Sequence, residues 1–195
     1  MFDWEVREPS EYSRKNEISF VKLTRRSYLT ASGSAPNQVD DDTFLKSADA
    51  VVRLATIISR GSAAGLLVDG FKAYRPYPVQ AVWQGDRYKI WLKQPLFIDE
   101  SVYQQAIKET KYASLVGFEQ LAEGTEIQTI SQGKVTPNLL AKLMRAVQTN
   151  GYQILDSARH REVYLDGLPV SADKQVLVRL SLSPTDKQPK FAAIN

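Results

Sequence analysis

The amino-acid sequence predicts an α+β fold made of two copies of one strand–helix–strand–strand (βαββ) unit. Each half contains an amphipathic helix, a strand-like segment before it and two strand-like segments after it. The two main helices begin about 95 residues apart, a spacing that indicates an internal repeat. We therefore expect a tandem duplication, with helices packed on antiparallel sheets and a ligand cleft between the halves.

The first half begins after a polar lead-in, residues 1–17, for which we expect an extended chain with at most one turn of helix. Residues 18–33 alternate between apolar and polar side chains, which predicts a strand broken near residues 24–27. The acidic residues 40–42 then provide an N-cap and favourable first-turn charges for a helix. Its apolar face consists of Phe44, Ala48, Val51, Val52, Ala55 and Ile58.

A hairpin and a bridging helix follow the glycine-containing loop at residues 61–70. Residues 71–83 and 88–93 form the two predicted strands of the hairpin. Pro76 and Pro78 restrict the first of them to a sheet edge or an irregular ribbon, because proline has no N–H for the ladder. Asp99 is the expected N-cap of a helix over residues 99–111 that bridges to the second half.

The second half repeats the plan. Residues 113–121 and 126–132 read as strands, and Thr136 followed by Pro137 begins a helix, because proline is tolerated at the first helical position. Two more strands are predicted, at residues 161–165 and 175–182. The repeats therefore span about 18–95 and 113–182, within a single domain over residues 1–195. Residues 183–195 are polar, contain two prolines and are expected to form a flexible tail.

Composition excludes several classes of protein. The 25 Lys and Arg residues exceed the 22 Asp and Glu by only 3, and the basic residues are scattered, so direct nucleic-acid binding is not expected. No apolar run is long enough to cross a membrane and no secretory signal is visible, which favours a cytoplasmic location. Without cysteine, and with one histidine, the chain is expected to hold neither a metal nor a cofactor.

The segment from His160 to Leu165 is the most informative one. Strand alternation places His160, Glu162 and Tyr164 on one face and leaves Val163 and Leu165 as the apparent core face. The first face is either solvated or the floor of a pocket. Aromatic residues on the first hairpin favour a pocket that attracts flat, hydrophobic and often cationic molecules, although each ring alone is also compatible with ordinary core packing. These residues are Tyr74, Tyr77, Trp83, Tyr88 and Trp91.

The same segment resembles the H-x-E-[IV]-Y-L signature of the GyrI-like small-molecule-binding family. Other motifs occur in the family's order. Residues 2–4 resemble its F-D-[WY] opening, residues 77–83 (YPVQAVW) its P-L-E-G-x-W segment, and residues 91–98 its strand-to-helix junction. The resemblance covers nearly the whole chain.

The resemblance implies a pocket between the halves with Glu162 at its centre and Tyr164 and Trp83 in its walls. The other expected ligand contacts are His160, Tyr77, Trp91 and Gln80. Gln80 and Ala81 stand where the family has glutamate and glycine, so one of the pocket's two expected negative charges is missing here.

The resemblance also limits the functions to be considered. Relatives include drug-sensing domains of transcription regulators, inhibitors of DNA gyrase and stand-alone proteins. Residues 1–17 are too short for a helix-turn-helix, and no segment after residue 182 offers one. We therefore expect a stand-alone protein, monomer or homodimer, that binds a small hydrophobic or aromatic ligand and no membrane.

Two alternatives stay open. The first is a hydrolase that opens the cyclopropane ring of DNA-alkylating compounds, with Glu162 as the general base and Tyr164 or His160 as the proton donor. The second is an interaction protein of the gyrase-inhibitor type, in which the outer surface acts and the cleft does not.

Overall fold

An eight-stranded antiparallel sheet organises the computed structural model, which describes residues 1–108 and 110–185. The strands are β1 (Ser19–Leu23), β2 (Arg26–Ser34), β3 (Gln80–Gln84), β4 (Arg87–Gln94), β5 (Gly117–Leu121), β6 (Gly124–Gln132), β7 (His160–Tyr164) and β8 (Gln175–Ser181). The helices are α1 (Trp4–Arg7), α2 (Asp42–Ser59), α3 (Glu100–Ile107) and α4 (Pro137–Thr149). The predicted α+β class is confirmed.

The order of strands in the sheet is β1-β6-β8-β7-β3-β4-β2-β5. The equivalent strands of the two halves are β1 and β5, β2 and β6, β3 and β7, and β4 and β8. If each strand is exchanged with its equivalent, the same order is obtained in reverse. The halves therefore meet at the β3–β7 pair. This symmetry supports the duplication expected from the sequence, which stays a prediction.

The sheet curls because its edge strands are tied together by short links. β1 and β2 are six strand spacings apart in the sheet, which is about 29 Å if the sheet were flat. Only residues 24 and 25 separate them in the chain, and three residues from Leu23 to Arg26 span at most about 11 Å. The β1–β6 and β2–β5 ladders also share one register, since Leu23 pairs with Gly124 and Arg26 with Leu121. Residues 19–34 and 117–132 are thus two bent strands that run along each other.

The two faces of the sheet are covered by different elements. α2 packs against β2 and β4, and α4 packs against β6. We call this side the helix face. The N-terminal segment, residues 1–17, lies on the opposite face, where Glu8 and Glu11 contact Lys93 of β4 and Glu11 accepts a hydrogen bond from Arg179 of β8. Both faces of β7 are therefore buried, whereas the sequence indicated only one core face.

Helix boundaries follow the capping residues that the sequence offers. The side chain of Asp41 accepts from Thr43 N at the start of α2, and Thr136 accepts from Leu139 N at the start of α4. α3 begins after Asp99, as predicted, but ends at Ile107 rather than residue 111. Glu109 and the predicted tail from residue 186 onward lie outside the described residues.

The predicted strand at residues 71–83 is much shorter in the structure, where only Gln80–Gln84 pairs as a strand. Pro76 and Pro78 explain the difference, because each removes a backbone donor that a ladder requires. Among the described residues, no helix combines the length and apolarity that a membrane crossing demands.

Candidate functional site

The β3–β7 pair contains five of the predicted site residues and gathers four of them on one face. Its register places His160 opposite Trp83 and Glu162 opposite Ala81. Alternation along β7 puts Tyr164 on the same side as Glu162. Phe44 of α2 contacts the rings of Trp83 and Tyr164, with centroids 4.9 and 5.9 Å apart, so this side is the helix face.

A hydrogen-bonded chain connects these four side chains. Nε2 of His160 lies 3.0 Å from Oε1 of Glu162, and Nε1 of Trp83 donates to the hydroxyl of Tyr164 at 3.0 Å. Tyr164 is also hydrogen-bonded to Glu162. Glu162 is only 6% exposed, and a buried carboxylate is costly without such partners.

Tyr164 is the donor in its bond with Glu162. Burial and the neighbouring Glu162 carboxylate raise the pKa of Tyr164 well above its ordinary value. Its hydroxyl therefore stays protonated, accepts from the Trp83 indole and donates to the carboxylate. The chain holds Glu162 in a defined position behind Tyr164.

A first cavity of about 500 Å³ begins at Tyr164. It lies between α2 of the first half, residues 75–79, and the segment from Tyr164 to Pro169 that follows β7 in the second half. Tyr164 and Tyr77 are the predicted site residues that line it; His160, Glu162 and Trp83 do not. Glu162 is therefore adjacent to this cavity through Tyr164.

Tyr77 belongs to an aromatic group that also includes residues of the N-terminal segment. Its ring is stacked on Trp4, with centroids 6.4 Å apart, and lies 5.9 Å from Tyr12. The charged residues at the first cavity are Asp49 and Arg75. Apart from these, apolar and aromatic side chains dominate its lining.

Gln80 and Trp91 lie on the opposite face, away from Glu162. Gln80 accepts a hydrogen bond from Nη1 of Arg161 at 3.2 Å, and the Trp91 ring centroid is 4.8 Å from Cζ of the same arginine. The sequence grouped both residues with Glu162, but the structure does not bring them together with it. Adjacent residues of a strand face opposite sides, and only the register of β3 against β7 reveals which side each takes.

The opposite face contains a buried charged cluster that was not identified from the sequence. Arg161 forms ion pairs with Glu123 and, at 3.2 Å, with Glu126. Arg179 donates through Nε to Gln128 at 3.0 Å. Burial raises the pKa of Glu123 to about 7, although the nearby Arg161 guanidinium opposes the shift. Alternation along β7 and β8 places both arginines on this face, but nothing in the sequence indicates that it is covered.

A second cavity of about 440 Å³ adjoins this cluster. Its lining includes Trp91, Glu123, His160, Arg161 and Arg179. His160 thus contacts Glu162 on one side and borders the second cavity on the other. Among the described residues, no group of three or more His, Asp or Glu side chains is placed to hold a metal ion.

Comparisons with known proteins identify the fold. No protein-family model and no curated protein sequence matches the chain. A hydrolase from Listeria innocua is similar in structure, with a TM-score of 0.79 at 20% identity over 94% of this chain and all of the other. An uncharacterized conserved protein from the same organism has the same TM-score, identity and coverage. The C-terminal domain of EcmrR has a TM-score of 0.54 at 13% identity, over 87% of this chain and 98% of that domain. The architecture is consistent with the GyrI-like fold.

Proposed function

We propose that this protein binds a flat, apolar small molecule in the first cavity and prefers a cationic one. The observation that carries the proposal is the position of Tyr164, which lines the cavity and hydrogen-bonds to the buried carboxylate of Glu162. The cavity volume of about 500 Å³ lies within the range of small-molecule sites. Its mainly apolar lining, with few polar groups, is also typical of such sites.

The charges around the first cavity favour a cation over an anion. Within the described residues, the ion-pair partner of Glu162 is His160. Arg75 at the cavity is already paired with Asp3 and Glu5, at 3.4 and 2.8 Å. Glu162 is therefore a buried carboxylate, in contact with the cavity-lining Tyr164, that has no Lys or Arg partner in the described structure. A positive ligand would gain Coulomb energy from this carboxylate in a low-dielectric setting.

Binding of two bicyclic probes of similar size tests this proposal by isothermal titration calorimetry. N-methylquinolinium carries a positive charge, whereas naphthalenemethanol is neutral. We expect the cation to bind the wild type more tightly. Glu162→Gln should weaken cation binding about tenfold, equivalent to about 1.4 kcal/mol, and leave the neutral probe unaffected. Gln retains the shape of Glu and can accept from Tyr164.

Glu119→Gln is the matched control, since it removes a carboxylate that is paired with Lys89 at 2.6 Å and lines neither cavity. It should leave the affinity for both probes unchanged. The proposal would be contradicted if neither probe bound the wild type. It would also be contradicted if the wild type and Glu162→Gln bound the cation with equal affinity.

A second candidate function is hydrolysis, favoured by the chain of His160, Glu162 and Tyr164 beside a cavity and by the shared fold of the Listeria innocua hydrolase. In this scheme water bonds to an activated cyclopropane carbon while Glu162 takes its proton. The ring carbon–carbon bond breaks, and its electron pair passes to the conjugated carbonyl, which takes the proton of Tyr164. Glu162 then returns its proton to Tyr164.

Product analysis separates hydrolysis from binding. A hydrolase would convert many equivalents of a cyclopropane-bearing alkylator to the ring-opened product, and Tyr164→Phe would abolish this turnover. Recovery of unreacted compound, or no more than one equivalent of product, would contradict hydrolysis. Binding is the leading proposal, because Glu162 itself does not line the first cavity.

A further inference from the structure

The second cavity combines an apolar wall with a cationic one. Val82, Trp91, Leu121 and Leu155 provide apolar surface, and the lining also contains three arginines. Arg159 is paired with Asp156 at 3.1 Å, and Arg161 and Arg179 share the lining with the carboxylate of Glu123. Arg161 is also paired, at 3.2 Å, with Glu126, which lies outside the lining.

Two buried hydrogen-bond donors in this lining lack an acceptor within the described structure. They are Nε of Arg161, a residue that is 5% exposed, and Nε1 of Trp91. Buried donors are almost always hydrogen-bonded in folded proteins, and leaving one unpaired costs about 1–3 kcal/mol. Oε2 of Glu123 and Oε2 of Glu126 also lack a hydrogen-bond donor there, so the donors and acceptors of the cluster are mismatched in position rather than in number. An acceptor on a bound molecule could satisfy the two free donors.

The side chain of Glu123 already places a carboxylate of the protein next to Arg161. It lies in the two-residue link between β5 and β6, contacts Arg161 and accepts from the hydroxyl of Tyr28. The link is where the two bent strands break their ladder, so its backbone is not held by strand pairing. The Glu123 side chain is therefore the group that a ligand carboxylate could replace.

We propose that the second cavity binds a small organic carboxylate with an apolar body, whose carboxylate takes the place of Glu123 on Arg161. A carboxylate forms charge-assisted hydrogen bonds with a guanidinium, and Arg161 offers Nη1, which now contacts Glu123, and Nε, which has no acceptor in the described structure. Tyr28, and Nε1 of Trp91 after a small adjustment, supply further donors, while Val82, Leu121 and Leu155 contact the apolar body. This site is separate from the first cavity and does not depend on the function proposed for it.

The test measures naphthoate binding by isothermal titration calorimetry, with naphthalenemethanol as the neutral probe of similar size. A tethered side chain competes with a ligand at an effective concentration in the millimolar range. Glu123→Gln should therefore bind naphthoate at least tenfold more tightly than the wild type. Naphthalenemethanol should show no such gain, and Arg161→Lys should weaken naphthoate binding.

Two controls separate this result from the first cavity and from a general change in charge. Asp49→Asn, which removes a charge at the first cavity, should leave naphthoate affinity unchanged. Glu100→Gln, which removes a carboxylate on α3 outside both cavities, should also have no effect. Circular dichroism and thermal melting confirm that each variant is folded.

Three outcomes would overturn the proposal. In the first, naphthoate binds neither the wild type nor Glu123→Gln. In the second, both bind it with equal affinity. In the third, the neutral probe gains as much affinity from the substitution as the anion does. Glu123→Gln preserves the size of the side chain and keeps one acceptor oxygen. Its comparison with the wild type tests the proposal even if the Arg161 variant is unstable.

Discussion

At the scale of single residues, Arg161 and Glu162 illustrate how one strand serves two sites. They are neighbours in β7, their charges are opposite and they are 5% and 6% exposed. Alternation places them on different faces of the sheet, so they do not neutralise each other. Glu162 pairs with His160 on the helix face, and Arg161 pairs with Glu123 and Glu126 on the opposite face.

The pKa of Glu123 predicts how stability depends on pH. Burial raises this pKa from 4.5 to about 7 in the folded protein, against the charges of Arg161 and Arg179 and together with that of Glu126. Tyr28 also faces the carboxylate. The folded state therefore holds the proton more tightly than the unfolded state. Protonation of Glu123 therefore contributes to the free energy of unfolding. This contribution is complete below about pH 4.5 and is lost as the pH rises through about 7.

Urea denaturation of the wild type and Glu123→Gln at intervals from pH 5 to pH 8 checks this prediction. The free energy of unfolding of the wild type should fall relative to the variant by an amount on the order of 1–3 kcal/mol over this range. Two stability curves that stay parallel across the range would contradict the raised pKa.

At the scale of elements, the two bent strands explain how Glu123 joins the buried charged cluster around Arg161. Residues 19–34 and 117–132 are each divided by a two-residue break, so that β2 and β6 join the body of the sheet while β1 and β5 pair with the other bent strand. The break at residues 122–123 brings Glu123 to the face where Tyr28 and Arg161 meet it.

Helix α4 is expected to depend strongly on its N-cap, because Leu143 and Val147 are its only buried residues. Thr136→Ala removes the hydroxyl that accepts from Leu139 N and should lower the free energy of unfolding by about 1 kcal/mol. Thr136→Ser retains the oxygen and should show little change. Urea denaturation measures both, and equal losses in the two variants would show that the cap does not act through this hydroxyl.

At the scale of the whole molecule, the N-terminal segment closes the opposite face of the sheet. Lys93, which is almost fully buried, contacts Glu8 at 2.8 Å and Glu11 at 2.6 Å. Gln128 of β6 donates to the carbonyl of Ser10 at 2.7 Å, and Trp4 donates to the carbonyl of Pro76. The segment therefore covers one face and, through Trp4, also lines the first cavity.

Substitution of Lys93 should reveal how much the packing of the N-terminal segment on the sheet contributes to the free energy of unfolding. Lys93→Met leaves Glu8 and Glu11 without their buried cation, and loss of one partner of a buried ion pair typically costs about 3 kcal/mol. Arg53→Ala breaks an exposed pair with Asp49 on α2 and should cause no measurable change. Chemical denaturation compares the two, and a Lys93→Met variant as stable as Arg53→Ala would show that the buried pair is not needed.

Much of the architecture could be predicted from local patterns. The caps of α2 and α4, the break near residues 24–27 and the shared face of His160, Glu162 and Tyr164 follow from short-range rules. The overlong strand at residues 71–83 was wrong because two prolines outweighed its alternation. The grouping of Gln80 and Trp91 with Glu162 required a strand register that no local pattern contains.

The sequence by itself determined the class of fold, the main helices and which β7 side chains share a face, because these depend on contacts within a few residues. Only the tertiary structure decided that Trp83 completes the hydrogen-bonded chain, that Tyr164 opens onto a cavity, and that Glu123 reaches Arg161 from 38 residues away. Such contacts depend on how distant strands pair and how the sheet curls, and the free energy that selects them is distributed over the whole core.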